Sequence, residues 1–299
     1  MAITITNIPA LRAQSSLSAA TNAANVSMLR LITGYRINSA KDDPAGLQIS
    51  DRLTSEINGL KQAYRNSADG QAFAQTAEGA LDEIINNLQT IRTKALQSAT
   101  GTVTTEDREA LQEEVSSLSQ EITRIAEDTT FGGKTILNGT NGDTLYDANG
   151  DMTLQIGAYS GNTMTIDMSQ SFTLENLDTA VLAEIGGGAQ TVLNADHEFD
   201  ISTQDKASAV VDQIDSYIAF VDSKRAELGA VQNRLDSAMN VSSISATNLA
   251  DARSRIRDTD YAEETSNLMR YNILQQTSMA MLTQANNRGS LILQLIGGV

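Results

Sequence analysis

The sequence contains no cysteine, so it can form neither a disulfide nor a thiolate metal site. Tryptophan is also absent and aromatic residues make up only 4% of the chain, which disfavours a compact core built on large rings. The only prolines are Pro9 and Pro44, so every later segment is free to stay helical. No apolar run approaches the roughly 18 residues of a membrane helix. The start lacks the basic and apolar regions of a cleavable signal peptide, so we expect no membrane insertion and, if the protein leaves the cell, another export route.

Residues that carry chemistry are equally scarce. His197 is the only histidine, and Ile201 stands where a zinc-protease helix would need a second one. Asp143, Asp147 and Asp151 lack the ligand order of a calcium loop, and no glycine-rich segment continues into a phosphate-binding motif. We therefore expect no catalytic residue, no metal and no cofactor. A net charge of −16 and a pI near 4.4 also argue against a nucleic-acid partner.

Acidic residues are missing from both ends of the chain. The first 41 residues contain no Asp or Glu, and none follows Glu264, so all 37 acidic residues lie between Asp42 and Glu264. We interpret the two ends as one structural unit that packs where charge would be costly.

Both ends carry apolar residues in alternating steps of three and four, the spacing that places side chains on one seam between paired helices. The first stripe is Ala10, Gln14, Leu17, Thr21, Ala24, Met28 and Leu31, and the second is Tyr271, Leu274, Ser278, Met281, Ala285, Arg288, Ile292 and Leu295. Polar interruptions make each seam weak alone, so we expect the ends to need partners. The alternative is an ordinary amphipathic helix in a monomeric core.

Two long helices are predicted after the first stripe. Asp42-Asp43-Pro44 is a helix start, and the helix should run to about Thr100. Gly59, Gly70 and Gly79 within it indicate either close backbone approach or simple tolerance of glycine. Capping by Thr104 or Thr105 opens the next helix, which should end near Thr130 and pack antiparallel to its predecessor.

The middle of the chain changes to a two-residue period. Asn149-Gly150 and Ser160-Gly161-Asn162 are hairpin turn sequences, which predicts two β-hairpins between about 134 and 170. Ser202 with Asp205 predicts the start of a fourth long helix. Its heptad positions are Val210, Ile214, Tyr217, Val221, Lys224, Leu228, Val231, Leu235 and Ala238. Asp260 and Glu263 should cap the terminal helix.

The predicted fold is mainly α, a long antiparallel helical bundle or coiled coil with a small β-hairpin region and paired N- and C-terminal helices. Residues 1–43 with 257–299 should form a terminal coiled-coil core domain. Residues 44–256 should form a helical rod domain with the hairpins.

Several segments together resemble bacterial flagellin. They are residues 31–38 (LITGYRIN), 42–50 (DDPAGLQIS), 75–81 (QTAEGAL), 254–262 (SRIRDTDYA), 273–276 (ILQQ) and 284–286 (QAN). The likeness covers roughly residues 1–175 and 200–296. The sequence leaves no room for the large outer domain that longer members insert in the middle.

The resemblance implies a structural subunit, not an enzyme, that polymerises into the extracellular flagellar filament for swimming motility after type III export. It implies four partners: further copies of the chain, an export chaperone at the C-terminal segment, the filament cap and the hook-junction proteins. The filament-core interface would comprise Leu11, Leu17, Ala24, Met28, Leu31, Tyr271, Leu274, Met281, Ala285, Ile292 and Leu295. The alternative is a hook–filament junction protein or another rod-shaped flagellar component. A third hypothesis is an enzyme displayed on a filament.

The family's innate-receptor epitope corresponds to Gln89, Arg92 and Glu114 here. Thr90 stands where recognised members have Arg, and Lys94 where they have Leu, so we expect recognition to be weakened. Ser160, Thr163, Thr165 and Ser169 are candidate glycosylation sites near the hairpins, with plain solvated strand positions as the alternative.

Overall fold

The structure is a computed structural model that describes residues 6–139, 145–185 and 191–297, with the side chains of 184–185 and 288–297 left out. Within these residues it contains six helices and four short strands, so the mainly helical fold class is confirmed. The helices are α1 (Ile8–Thr33), α2 (Pro44–Ser98), α3 (Thr105–Asp128), α4 (Leu174–Ile185), α5 (Gln204–Arg257) and α6 (Tyr261–Gly297). The strands are β1 (Thr130–Phe131), β2 (Lys134–Thr135), β3 (Asp151–Gln155) and β4 (Thr163–Asp167).

The chain divides into two compact units. The first, the terminal unit, comprises residues 1–57 and 247–299, and contains α1, α6, the start of α2 and the end of α5. The second, the central unit, comprises residues 58–246 and contains the strands, α3, α4 and the remaining parts of α2 and α5. The domain division at residues 43 and 257 stays a prediction.

Helix starts follow the capping chemistry of the sequence. Asp43 Oδ1 accepts the backbone N–H of Gly46 at 2.9 Å, immediately before α2. Thr104 and Asp107 form a reciprocal capping box at α3, and Asp260 accepts the N–H groups of Ala262 and Glu263 at 2.8 and 3.2 Å. These caps satisfy donors that a helix start leaves without intrahelical partners.

The predicted cap of α5 is wrong by one residue. Thr203 Oγ1 accepts the N–H of Lys206 at 3.3 Å, whereas Ser202 Oγ donates to Asp200 Oδ1 at 2.7 Å. The heptad stripe itself is confirmed, since its positions from Val210 to Leu235 are buried, and Lys224 among them is only 7% exposed. Helix α5 then continues without a break through the mostly polar segment 240–248, in which Ser242 is buried.

The hairpin prediction is correct at one turn and wrong at the other. Strands β3 and β4 pair antiparallel, Asp151 opposite Asp167, around the predicted turn at Gly161, where φ is +89°. Asn149-Gly150 instead leads into β3, because Asp147 Oδ1 accepts the N–H groups of Asn149 and Asp151.

A second, two-residue ladder pairs β1 with β2 and begins before the predicted range. Thr130 lies opposite Thr135 across Gly132 and Gly133, whose φ angles are +61° and +82°. Two successive residues with positive φ are what a tight hairpin turn of this type requires. The predicted hairpin range of 134–170 does not include these glycines.

Helix α4 was missed. Its 12 residues lie in a segment whose apolar pattern was too short to predict an element, yet Leu174, Leu177 and Val181 are buried. A helix of this length depends on tertiary packing rather than on its own propensity, and that packing is invisible in the sequence.

The central unit holds a continuous apolar core. Buried residues of α2, α3, α4, α5 and the hairpin form one cluster, which includes Phe73, Leu81, Ile122, Ile166 and Tyr217. Phe73 packs edge-on against Phe131 and Tyr146, with ring centroids 5.8 and 6.3 Å away. This unit therefore carries its own driving force for folding.

Two of the three helical glycines mark a close approach between α2 and the β3–β4 hairpin. A Cβ at Gly59 would lie 2.9 Å from Ala158 Cβ, and one at Gly70 would lie 2.3 Å from Leu154 Cδ1. Between them, Asn66 Nδ2 donates to the Gln155 carbonyl at 3.0 Å. Gly79 has nothing within 4 Å, so only there is glycine simply tolerated.

This difference predicts opposite effects for two alanine substitutions. Gly79→Ala should raise the free energy of unfolding by about 1 kcal/mol, the usual helix preference of Ala over Gly. Gly59→Ala makes the same helical gain but displaces the hairpin, so the variant should be no more stable than the parent. Urea unfolding followed by circular dichroism tests this pair, and equal stabilisation by both would contradict the close packing.

Candidate assembly surface

Helices α1 and α6 pack against each other along a seam of mostly small side chains. The covered positions of α1 are Ala10, Ala13, Leu17, Ala20, Thr21, Ala23, Ala24, Ser27, Arg30 and Leu31, and those of α6, as far as its side chains are described, are Glu264, Asn267, Leu268, Tyr271, Gln275, Ser278, Leu282 and Ala285. Asn7 Nδ2 donates to the Ala285 carbonyl at 2.9 Å, and Gln275 Nε2 to Thr21 Oγ1 at 3.2 Å. The predicted pairing of the two ends is therefore confirmed.

Some residues of the two predicted stripes lie on the seam between α1 and α6, and others are exposed. Leu17, Ala24, Tyr271 and Ala285 lie on the seam, but Gln14, Met28, Leu274 and Met281 are exposed. Their places are taken by the neighbouring Ala13, Ser27, Gln275 and Leu282. Small residues of α1, among them Ala13, Ala20 and Ala24, allow the two helices to approach closely.

One charged pair lies on this seam. Arg30 Nη1 is 3.6 Å from Glu264 Oε2, and the Glu264 side chain is only 8% exposed. Asp42 and Glu264 are the acidic residues that border the two acid-free ends. A buried pair of this kind is best attested as a device that fixes helix register, and a seam of small residues specifies register weakly.

The segment that connects α1 to α2 is tied to the end of α5. Helix α1 ends at Gly34 in the left-handed region, and the Arg36 N–H donates to the Arg257 carbonyl at 2.7 Å. The Arg257 guanidinium lies 4.6 Å from the centre of the Tyr35 ring. Asp42 Oδ2 accepts the backbone N–H groups of Ser39 and Asn38 at 2.9 and 3.1 Å, and these bonds lower the pKa of its carboxyl.

Large apolar side chains remain uncovered on the terminal pair. On α1 these are Ile8, Leu11, Val26, Met28, Leu29 and Ile32, and on α6 they are Tyr261, Met269, Ile273, Leu274, Met279 and Met281. At about 100° per residue, Met269 and Ile273 lie opposite the seam, whereas Leu274 and Met281 flank it. Uncovered apolar side chains therefore occur on more than one side of α6.

The terminal unit has little apolar core of its own. Its buried apolar residues are Ala20, Ala24, Ile37, Ile57 and Ala285, and the large apolar cluster of the chain lies entirely within the central unit. A groove of about 460 Å³ opens between α1 and α6, with Ile8 and Pro9 on one side and Leu274 and Met281 on the other. The arrangement suits contact with further apolar surface.

Comparisons with known proteins identify the family to which the two helical ends of the chain belong. Residues 5–142 match the family model described as the bacterial flagellin N-terminal helical region, and residues 211–296 match the C-terminal helical region. The chain belongs to the bacterial flagellin family. It is 37% identical to polar flagellin F of Vibrio parahaemolyticus and 36% identical to flagellin C of Vibrio cholerae, over 99% of this chain and 100% of each relative.

These alignments extend over 385 and 378 positions, so the Vibrio relatives carry residues that this 299-residue flagellin lacks. A solved structure from Vibrio parahaemolyticus, assigned as a flagellar hook-associated protein, shares the fold with a TM-score of 0.56. It is 21% identical and covers 73% of this chain and 100% of its own. The flagellin is thus a structural subunit that polymerises into the extracellular flagellar filament.

The residues that the resemblance assigns to the filament core have different environments. Ala24 and Ala285 are buried, Leu17, Leu31 and Tyr271 are half-buried, and Leu11, Met28, Leu274 and Met281 are exposed. Ile292 and Leu295 lie among the residues whose side chains are outside the description. Their assignment to the filament core stays a prediction.

The receptor-epitope residues lie on two helices of the central unit. Gln89 and Arg92 are on α2 and Glu114 is on α3. Lys94 Nζ donates to Glu114 Oε2 at 2.6 Å, and the Arg92 guanidinium is paired with Asp215 at 2.8 Å. Ion pairs within the chain therefore engage both charged epitope residues.

The remaining candidates are surface groups. Ser160, Thr163, Thr165 and Ser169 are all exposed on or beside the β3–β4 hairpin. His197 is an exposed loop residue with a φ of +58°, and its Nε2 is 4.0 Å from Glu175 Oε1.

Asp143 lies outside the described residues, and no group of three or more potential metal ligands occurs among those that are described. Over the same residues, no helix combines the length and apolarity that crossing a bilayer requires.

The Arg30–Glu264 pair gives a testable prediction for the monomer. Glu264→Gln keeps the side-chain shape but removes its charge, so amide hydrogen exchange in the last turns of α1 should accelerate, by roughly tenfold for a coupling of about 1.4 kcal/mol. Arg30→Met combined with Glu264→Gln should accelerate exchange less than the sum of the two single changes. Simple additivity would show that the pair does not couple the two helices.

Proposed function

We propose that copies of this flagellin polymerise through the uncovered apolar faces of α1 and α6. The interface would centre on the predicted residues Leu11, Leu17, Ala24, Met28, Leu31, Tyr271, Leu274, Met281, Ala285, Ile292 and Leu295. The observation that supports this most directly is that the terminal pair exposes large apolar side chains both beside and opposite its seam.

The energetics are of the right size for assembly. Full burial of one Leu, Ile or Met side chain contributes about 1.5–3 kcal/mol. Leu11, Met28, Leu274 and Met281 are already about half covered, so covering the rest of all four would supply on the order of 3–6 kcal/mol, to which the other uncovered apolar side chains of the pair add. The cost of association to be offset is roughly 4–15 kcal/mol.

The charge distribution supports the same surface. Burying a carboxylate between subunits would cost several kcal/mol unless it were paired, and residues 1–41 and 265–299 contain none. A chain with a net charge of −16 can bring these segments together without facing carboxylates across the contact.

We further propose that an export chaperone covers the C-terminal segment before assembly and that the filament cap and hook-junction proteins contact the terminal pair. The support is the exposure of Met269, Ile273 and Leu274 on α6, because apolar surface of this kind promotes unwanted association unless it is covered. The role is structural and not enzymatic. Residues 1–43 with 257–299 would act as the polymerising domain, and residues 44–256 as the helical rod domain.

The polymerising face is tested by a charge at one exposed position. Leu274→Asp should leave the central unit folded, because Leu274 is 46% exposed and belongs to the other unit. It should abolish filaments, since every contact would then bury a carboxylate. Sedimentation and electron microscopy after concentration measure the outcome.

Leu274→Met is the matched control, since it keeps an apolar side chain of similar size and should still polymerise. Filaments of normal length and yield from Leu274→Asp would refute the proposed face.

We also propose that host innate-receptor recognition is weak. The Lys94–Glu114 pair supports this, because the lysine occupies a carboxylate of the corresponding epitope and Thr90 supplies no guanidinium. Combining Thr90→Arg with Lys94→Leu should raise receptor binding by about tenfold or more, the worth of one charge-assisted contact.

Titration of receptor against monomer measures this change, and Thr93→Arg on the neighbouring exposed position serves as control. Parent protein that binds as tightly as the double variant would contradict the proposal.

We also propose glycans on Ser160, Thr163, Thr165 and Ser169. Mass spectrometry of native filaments tests this, and finding only unmodified peptides would refute it.

A further inference from the structure

The exposure of the methionine side chains differs between the two units. Of the nine methionines in the sequence, Met28, Met269, Met279 and Met281 lie on the terminal pair, and each is at least half exposed, from 51% to 67%. In the central unit, Met164 and Met168 are 5% and 0% exposed, and Met152 and Met239 are half-buried. The uncovered face of the terminal pair is thus also the accessible thioether surface of the described chain.

We propose that these four methionines make assembly sensitive to oxidation, so that peroxide converts a free subunit into one that cannot join a filament. This inference rests on the proposed polymerising face. The chemical partner is a hydroperoxide, with hydrogen peroxide as the simplest member of the class.

The reaction balances without any group from the protein beyond the thioether. A sulfur lone pair attacks one peroxide oxygen, the O–O bond breaks, and the departing hydroxide takes the proton from the transferred oxygen to form water. Methionine loses two electrons as sulfoxide forms, and peroxide is reduced to water.

Sulfoxide formation reverses the physical character of the surface. The product is polar and chiral where the thioether was apolar and adaptable, which disrupts methionine-bearing interfaces. Burying its oxygen without a hydrogen-bond donor costs about 1–3 kcal/mol. The same two helices leave apolar side chains uncovered, among them Leu11, Val26, Ile273 and Leu274, and these cannot donate a hydrogen bond to a sulfoxide oxygen.

The state of the subunit determines its sensitivity. In a filament the proposed contacts cover these thioethers, so peroxide should reach them slowly, whereas a free subunit exposes all four. The central methionines should react slowly in both states because Met164 and Met168 are buried in a core that does not depend on assembly.

The experiment compares parent protein with a variant in which Met28, Met269, Met279 and Met281 are all replaced by Leu. Both are treated with hydrogen peroxide as monomers, quenched, mapped by peptide mass spectrometry and concentrated. We expect sulfoxide first at the four terminal positions of the parent, together with a rise in its critical concentration on the order of tenfold per sulfoxide. The Leu variant should polymerise equally well with and without peroxide.

Two controls separate this proposal from the proposed function. Methionine sulfoxide reductases A and B should restore polymerisation of oxidised parent protein, and peroxide given to preformed filaments should leave the four sites largely unmodified. Normal polymerisation of parent protein carrying sulfoxide at all four sites would overturn the inference while leaving the polymerising face intact. Filaments from Leu274→Asp would instead overturn the face itself.

Discussion

The terminal unit leaves large apolar side chains uncovered on both of its paired helices. Helices α1 and α6 meet along small side chains of α1 and larger ones such as Leu268, Tyr271 and Leu282 of α6, and further large apolar side chains remain outside. An ordinary amphipathic pair keeps its large apolar residues inside and its charges outside. Here neither helix carries an acidic residue beyond Glu263 and Glu264 in the first turn of α6. The seam buries only part of the apolar surface of the two helices, and covering the exposed side chains would bury more of it.

The central unit buries a continuous apolar core of its own. Its buried cluster draws on four helices and a hairpin, and Gly59 and Gly70 let Ala158 and the Leu154 side chain of the hairpin pack directly on the α2 backbone. A folded unit that is complete in one copy is thus joined through α2 and α5 to a unit that is not. By mass action, stability of the terminal unit should then rise with subunit concentration, while stability of the central unit should not.

Sequence reasoning recovered those features that local chemistry determines. Asp43, Thr104 and Asp260 begin their helices as predicted, because a cap needs only residues three or four positions apart. The pairing of the ends followed from the distribution of acids over the whole chain. Helix α4 and the seam positions Ala13, Ala20 and Ser27 did not emerge, because alanine and serine carry no strong apolar signal and a short helix is fixed by what packs on it. The close approach at Gly59, in contrast to Gly79, likewise depends on the partner hairpin and not on the helix that carries it.

The error in seam phase bears directly on assembly. Leu274 and Met281 were placed inside the pair because they are the large residues of a heptad stripe, and they are instead exposed next to Gln275 and Leu282. Tyr271, Ser278 and Ala285 belong to both the predicted stripe and the observed seam, whereas Leu274 and Met281 lie exposed beside it. A helix that serves two contacts must divide its surface in this way, since one heptad seam faces only one partner. A stripe inferred from the sequence therefore finds the paired helix, but it does not separate the covered positions from the exposed positions that flank them.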